Sequence, residues 1–151
     1  MKIKKISSWG RNKFINSNFF EPESKESLKS IIKKKKNFLA FGNGRSYGDV
    51  CLNSKNLIST RKLNKILNFD KKKGVIEVES GTLVSEILPI IIENNFFLPV
   101  TAGTKFISVG GMVANNIHGK NIKKNYFSDY ILSIDLININ GKSIVCSKKK
   151  K

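Results

Sequence analysis

The sequence predicts an α+β fold. Short apolar blocks recur along the chain at the length and spacing of strands, whereas residues 28–32 and 83–91 repeat their apolar positions at helical spacing. An Asn-Gly pair near the end lies between two short apolar segments, as in an antiparallel hairpin. The predicted order is a β-α-β unit, then mixed strands, a second helix and the hairpin.

The composition allows a folded core and a strongly basic surface. The chain has 151 residues and a formal net charge of +17. A nucleic-acid-binding or anionic-membrane-binding module could carry such a charge, and this remains an alternative interpretation. The lysines, however, are spread along the chain or gathered in short runs without a recognisable nucleic-acid motif. We therefore favour a solvated lysine-rich surface and predict no nucleic-acid partner.

The numbers of cysteines and histidines and the lengths of the apolar runs argue against a metal site, a signal peptide and a membrane span. Two cysteines and one histidine are too few for a Cys/His zinc site, so no metal is predicted. The basic start is not followed by an apolar stretch of signal-peptide type, and no apolar run is long enough to span a bilayer. The expected location is cytoplasmic, with a peripheral position at the inner face of the membrane as the alternative.

The first half begins with an irregular or strand-like arm over residues 1–20. Ser24 is expected to cap a helix that ends in Lys33 to Lys36. Cations are favoured there because the C-terminal end of the helix dipole is negative. Asn37 ends this helix, and a strand follows up to Phe41. Further strands are predicted near residues 57–60 and 75–79.

The second half contains the longest helical pattern, which opens at Gly81-Thr82. Pro89 lies inside it and predicts a kink or an early end. A glycine-rich region follows, in which Gly110-Gly111 leads into a short, tightly packed helix. Asn140-Gly141 predicts a type I′ hairpin turn between strands near residues 131–138 and 142–146.

A glycine-rich segment after the first β-α-β unit, Phe41 to Asp49, carries the main functional signal. Gly42, Gly44 and Gly48 follow an apolar strand, and Arg45 between them adds a forked cationic donor. Successive N–H groups in such a loop can bind an anion, which predicts a diphosphate cradle. The spacing differs from the G-x-G-x-x-G and Walker A patterns, and an ordinary glycine-rich turn is the alternative at this point.

Four further motifs extend this signal over nearly the whole chain. They are Ser8-Trp9-Gly10-Arg11, Leu98 to Thr104, Val109-Gly110-Gly111 and Ile117 to Asn121. With the first segment they resemble the N-terminal, PCMH-type FAD-binding domain of vanillyl-alcohol-oxidase-like flavoproteins. Within that group the chain is most similar to the decaprenylphosphoryl-ribose oxidase and D-arabinono-1,4-lactone oxidase families.

The resemblance implies two α/β subdomains with FAD between them and the diphosphate on residues 40–50. The implied division is an arm at 1–20, a first subdomain at 21–80 and an incomplete second subdomain at 81–151. It implies non-covalent FAD, because Arg45 stands where histidyl-linked relatives carry the linking histidine. Lys120 would face the substrate. The implied cofactor-binding residues are Ala40, Phe41, Gly42, Asn43, Gly44, Arg45, Ser46, Tyr47, Gly48, Asp49, Val50, Gly103, Ser108, Val109, Gly110, Gly111, Asn115, Asn116, Ile117 and His118.

The chain also departs from these families. Ile122-Lys123-Lys124 replace the histidines that usually follow this motif, and family members are much longer. The substrate domain and the catalytic groups are expected in a C-terminal part that this truncated or split chain lacks, so no catalytic residue is assigned. The implied function is the FAD-binding part of an oxidoreductase that oxidises a sugar alcohol or aldonolactone by hydride transfer to flavin N5.

The expected partners follow from that function. They are a sugar or polyprenyl-phosphate sugar substrate, with a short-chain reductase or a second chain that supplies the substrate domain as further candidates. An inactive fragment is the other alternative to the enzyme.

Overall fold

The computed structural model describes residues 2–120 and 125–148, and it confirms a mixed α+β chain. Asn121, residues 122–124 and the end of the terminal lysine run (149–151) lie outside the described residues. The strands are β1 (Lys2–Ser7), β2 (Phe14–Phe20), β3 (Phe38–Phe41), β4 (Asn56–Ser59), β5 (Ile66–Asp70), β6 (Val75–Val78), β7 (Ser133–Ile137) and β8 (Ser143–Ser147). The helices are α1 (Lys25–Lys34), α2 (Val84–Ile92) and α3 (Val109–Ala114), with a 3₁₀ turn at Phe127–Tyr130.

The first four strands form one mixed sheet in the order β1-β2-β4-β3. β1 and β2 are antiparallel, whereas β2 and β3 both run parallel to β4. The register pairs Phe41, the last residue of β3, with Ser59, the last residue of β4. The segments that leave these two strands therefore start side by side at one edge of the sheet.

α1 begins where the sequence predicts it, but it ends at Lys34, before the predicted end at Asn37. Ser24 is the N-cap: its side chain accepts a hydrogen bond from the Ser27 N–H, and the Ser27 Oγ in turn accepts one from the Ser24 N–H. The helix packs its apolar side on the sheet, where Phe20, Ile32 and Ile58 form a buried core cluster. Ile137 of β7 packs against the same cluster, so the last hairpin is tied to the first half of the chain.

α2 departs from the sequence prediction at both ends. It begins at Val84 rather than at Gly81, because the backbone of residues 80–83 is engaged elsewhere: Val109 donates to the Thr82 carbonyl and Gly110 to the Ser80 carbonyl, both at 2.8 Å. It also continues past Pro89 to Ile92, so the predicted early end is wrong. Proline removes only its own N–H donor, and Pro89 lies on the exposed side of the helix.

The last hairpin is present, but its turn is of another type. Asn140 does not have a positive φ, whereas a type I′ turn requires one at both central residues. Only Gly141 is left-handed there, at φ 73°, and Asn138 pairs with Lys142 across a three-residue loop. That geometry is a turn completed by a left-handed glycine, which is another common hairpin connection.

The longest helix of the described residues is α1, with ten residues. No helix in ranges 2–120 and 125–148 is both long and apolar enough to cross a membrane.

Candidate functional site

The first glycine segment leaves the carboxyl end of β3, at an edge where ligands commonly bind in sheets with parallel strands. The Phe41 carbonyl accepts a hydrogen bond from the Thr60 N–H at 3.0 Å, which fixes the start of the segment. Gly44 and Gly48 then take φ values of 61° and 63°, in the left-handed region that favours glycine. These two reversals fold the segment back on itself.

The folded segment presents unused hydrogen-bond donors. No described backbone hydrogen bond uses the N–H of Asn43, Gly44 or Arg45 as its donor. The Arg45 Nε is buried and has no hydrogen-bond partner, while its guanidinium lies 5.1 Å from the centre of the Trp9 ring. A buried donor without a partner is rare in a folded protein, so the Arg45 Nε, with the three backbone N–H groups beside it, fits an anion.

The N-terminal arm closes over this segment and forms a cleft of about 270 Å³. The Trp9 N–H donates to the Ser46 carbonyl at 3.2 Å and holds the arm in place. None of the described residues that line the cleft is acidic, so its charge comes from two arginines. The lining residues are Ser7, Ser8, Trp9, Arg11, Phe41, Asn43, Gly44 and Arg45.

The arm's part in the cleft was not predicted. Ser7, Ser8, Trp9 and Arg11 line the cleft but were not assigned as site residues. The Ser-Trp-Gly-Arg motif was the available signal, since it was recognised as part of the resemblance without a role.

The second glycine segment comprises residues 105–111, and a buried serine within it caps the helix that follows. Ser108 is 1% exposed, and its Oγ accepts a hydrogen bond from the Gly111 N–H at 3.3 Å. This cap starts α3, whose Met112 is completely buried. Ser108, Gly110 and Gly111 are therefore held rigidly by local hydrogen bonding and packing.

Two contacts bring the two glycine segments together. The Asn43 side-chain Nδ2 donates to the Phe106 carbonyl at 2.8 Å. Gly42 lies so close to Ser108 that a Cβ at position 42 would overlap the Ser108 Oγ. The two segments are more than sixty residues apart in sequence, but they meet in the folded chain. Such a meeting is what the hypothesis of a single diphosphate cradle requires.

Other predicted cofactor residues lie toward the outside of the first segment. Tyr47 is 81% exposed and Val50 is 68% exposed, and Asp49 is paired with Lys13 at 3.4 Å. Ala40 and Gly103 are exposed as well. Among the described contacts, those that join the second segment come from Gly42 and Asn43 rather than from residues 47–50.

The predicted residues after α3 form a separate local arrangement. The Asn115 side chain donates to the Gly111 carbonyl at 2.9 Å, and the Asn116 Oδ1 accepts from the Ser128 N–H at 3.0 Å. The Ile117 N–H donates to Met112, and the His118 ring lies edge-on to Tyr126 with 6.1 Å between their centres. These contacts join residues 115–118 to α3, to Tyr126 and to the 3₁₀ turn.

Lys120 is linked to another motif. Its backbone pairs with Thr101, with the Lys120 N–H donating to the Thr101 carbonyl at 2.8 Å. The described contacts thus tie Lys120 to the Leu98–Thr104 motif rather than to the first glycine segment.

The comparison with protein families decides the assignment. The model of the family described as FAD binding domain matches residues 17–147. The chain belongs to this FAD-binding domain family. The N-terminal arm with Trp9 and Arg11 precedes the matched residues, although it lines the cleft.

Three of the curated relatives are oxidases at low identity. Decaprenylphosphoryl-beta-D-ribose oxidase of Mycolicibacterium smegmatis is 27% identical over 91% of this chain and 32% of its own length. L-gulonolactone oxidase of Bos taurus is 23% identical over 86% of the chain and 30% of its length. D-arabinono-1,4-lactone oxidase of Candida glabrata is 24% identical over 87% and 26%. The chain spans 26–32% of the length of these relatives.

The residues present fit the cofactor of this family, which is FAD. A diphosphate needs several N–H donors and a cation, and the first segment offers three unused backbone N–H groups beside the unpartnered Arg45 Nε. Gly42 has no Cβ that would overlap Ser108, so the second glycine segment can lie directly against the start of the first.

Metal and thiol chemistry have little support among the described residues. No group of three His, Cys, Asp or Glu side chains in ranges 2–120 and 125–148 could hold a metal ion. Both cysteines are free, and burial raises the pKa of the Cys51 thiol above its ordinary value of 9.0, with hydrogen bonds from its own backbone and from Ser46 opposing the shift. Cys51 therefore stays a protonated thiol at neutral pH.

Proposed function

We propose that this chain is the FAD-binding part of an oxidoreductase that oxidises a sugar alcohol or an aldonolactone. The observation that carries the proposal is the junction of Gly42 and Asn43 with Phe106 and Ser108 beside unused N–H donors. The substrate class comes from the relatives, which are named as a ribose oxidase and as lactone oxidases.

In this proposal the first segment binds the diphosphate. The N–H groups of Asn43, Gly44 and Arg45 donate to its oxygens, and the Arg45 guanidinium neutralises its charge. The Trp9 ring keeps that guanidinium in position from the other side. Bound FAD supplies a ring that accepts a hydride at N5. The chain's own residues bind and orient the cofactor.

We further propose that the segment after α3 contributes to the flavin and substrate side of the site. His118 would contact the flavin, and Lys120 would bind a hydroxyl or phosphate of the sugar as a compact cation. The Thr101–Lys120 bridge supports this assignment, because it joins two of the recognised motifs. The remaining cofactor residues, from Ala40 to Val50 and from Gly103 to Ile117, complete the proposed contacts.

The substrate domain is proposed to come from polypeptide that corresponds to the unmatched two thirds of the relatives, on a second chain or a further domain. Catalysis needs a group placed against the reacting hydroxyl, and no catalytic group is assigned among residues 1–151. We therefore expect the chain alone to bind FAD but to turn over little substrate.

An anaerobic reduction assay tests the proposal. FAD-loaded protein is mixed with L-gulono-1,4-lactone, with D-arabinono-1,4-lactone or with D-lactate, a hydroxy acid without a sugar ring, and flavin absorbance is followed. We expect slow bleaching that is faster with the lactones. Bleaching by D-lactate alone would contradict the substrate class, and rapid, complete bleaching of the flavin of the 151-residue chain by a lactone would contradict the need for a further domain.

A further inference from the structure

The ion pair between Arg61 and Glu86 lies outside the residues assigned to the proposed FAD site, but it contacts the backbone that holds the second glycine segment. Arg61 lies two residues after the end of β4, and its guanidinium donates to the Gly81 carbonyl and to the Glu86 Oε1, the latter at 3.1 Å. Its side chain is only 26% exposed. The guanidinium thus joins the end of the first sheet to the start of α2.

Glu86 completes the arrangement at the start of α2. Its Oε2 accepts a hydrogen bond from the Leu83 N–H at 2.6 Å, and its Oε1 also faces the Asn64 side chain at 3.5 Å. Burial alone would raise the pKa of Glu86, but the Leu83 N–H and Arg61 outweigh it and hold the pKa below the ordinary value of 4.5. The ionised pair therefore fixes the backbone of residues 81–83.

That backbone is the support for the second glycine segment. Four hydrogen bonds join residues 80–85 to residues 105–110. The carbonyls of Ser80 and Thr82 accept from α3 at 2.8 Å, and the N–H groups of Val84 and Ser85 donate to the carbonyls of Ile107 and Lys105 at 3.0 and 2.8 Å.

The opposite side of the same segment meets the diphosphate cradle. Phe106 accepts from the Asn43 side chain, and Ser108 lies against Gly42. A continuous series of contacts thus leads from Arg61 and Glu86, through residues 80–85 and 105–110, to the first glycine segment.

We propose that Arg61 and Glu86 are positioning residues for FAD binding, which rests on the proposed function. In the described contacts, these two residues meet neither the cleft nor the N–H donors of the glycine segments. They act by holding residues 81–83, and this keeps Phe106 and Ser108 against the first glycine segment. A hydrogen bond to a charged group contributes more than a neutral one, so removal of either partner loosens the second segment first.

The test compares Arg61→Gln and Glu86→Gln with a control ion pair. Gln at position 86 keeps an oxygen for the Leu83 N–H and removes only the charge. The control, Asp135→Asn, breaks the Lys25–Asp135 pair, which joins α1 to β7 outside both glycine segments. Amide hydrogen exchange is measured without FAD, and the FAD dissociation constant is measured by titration of the full chain.

In both test variants we expect amide exchange at Val109 and Gly110 to accelerate about tenfold, with β1 and β2 unchanged, and FAD binding to weaken about tenfold. The double variant should be no worse than either single variant, because the two residues act as one pair. Asp135→Asn should change neither quantity.

Three outcomes count against the proposal. Equal acceleration of exchange in β1, β2 and α3 would show a merely global destabilisation. Unchanged FAD binding in both variants, with normal binding in the wild type, would overturn the positioning role alone. A folded wild type that binds no FAD would instead overturn the proposed function, and this proposal with it.

Discussion

Arg45 combines two properties at one position: a buried Nε without a partner and a guanidinium stacked beside Trp9. Arginine is always charged and has no nucleophilic nitrogen at neutral pH, so it can attract the cofactor but cannot form the histidyl link of covalent relatives. Its place between Gly44 and Ser46 keeps it within the unused donors of the first segment.

We therefore predict that bound FAD is held non-covalently. Acid precipitation of the loaded protein should release all flavin into the supernatant, because unfolding removes every contact that holds the cofactor. The check is the flavin absorbance of supernatant and pellet after washing. Flavin that stays with the washed pellet would mean a covalent bond at another residue.

Gly42 gives a sharper prediction, because the reason for glycine is a specific neighbour. In Gly42→Ala the new Cβ would overlap the Ser108 Oγ, and the two segments must separate. Such overpacking costs about 1–3 kcal/mol, and if that cost falls on the FAD-binding arrangement, FAD binding weakens by about 5-fold to about 150-fold. Titration of FAD into the variant measures the effect.

Ser108→Ala provides the matched control. It removes the Oγ and leaves the Cβ of residue 108 at an ordinary 3.5 Å from the Cβ that Gly42→Ala adds. Alone it should cost about 1 kcal/mol of stability through the lost α3 cap. Combined with Gly42→Ala it should restore part of the lost FAD affinity. A double variant that binds FAD more weakly than Gly42→Ala would show that the Oγ overlap is not the cause.

At the scale of elements, α2 carries a pH-dependent contact at its start. The lowered pKa of Glu86 means that the folded chain favours the ionised carboxylate. Its stabilisation is fully present above the ordinary pKa of 4.5 and is lost as the pH falls through the lower folded-state pKa.

We predict that Glu86→Gln lowers the urea midpoint at neutral pH and that its difference from the wild type shrinks in acid. At a pH well below 4.5 the wild-type carboxylate is protonated, so both proteins lack the charge. Urea unfolding at the two pH values measures this. A difference that stays constant over the whole range would place the effect in packing rather than in the ion pair.

The local elements could be predicted well from the sequence, because their causes are local. Ser24 and the following lysines determine α1, and the Gly42–Gly48 spacing predicted the loop after β3. The type I′ turn was wrong because Asn140 can take an ordinary negative φ when Gly141 alone supplies the left-handed residue. The turn type goes with the length of the loop, and here three residues rather than two separate Asn138 from Lys142.

The long-range contacts could not be predicted in the same way. The Asn43–Phe106 bond uses a carbonyl, which every residue has, so no sequence signal marks position 106. Arg61 and Glu86 are residue types that are ordinary on a protein surface, and only the folded chain shows that they form an ion pair. The predicted roles of His118 and Lys120 remain predictions, since their described contacts are to Tyr126 and Thr101.

For the whole molecule, the proposed FAD site combines three segments that are distant in sequence: the arm near Trp9, the loop near Gly44 and the residues around Ser108. The mixed sheet positions the first two, because the loop leaves β3 and the arm follows β1. The third is attached through residues 80–85. The formal charge of +17 is distributed over the chain, whereas the cleft itself has only Arg11 and Arg45 among its described lining residues.

The central claim is that FAD binds where these segments meet, and an equilibrium titration of FAD into the folded chain tests it most directly. We predict saturable binding of one FAD per chain, competition by ADP and weaker binding in Arg45→Gln. Lys72→Gln, which removes one charge in the exposed turn between β5 and β6, should bind FAD as the wild type does. Folded protein that shows no saturable FAD binding, or binding that Lys72→Gln weakens as much as Arg45→Gln, would contradict the account.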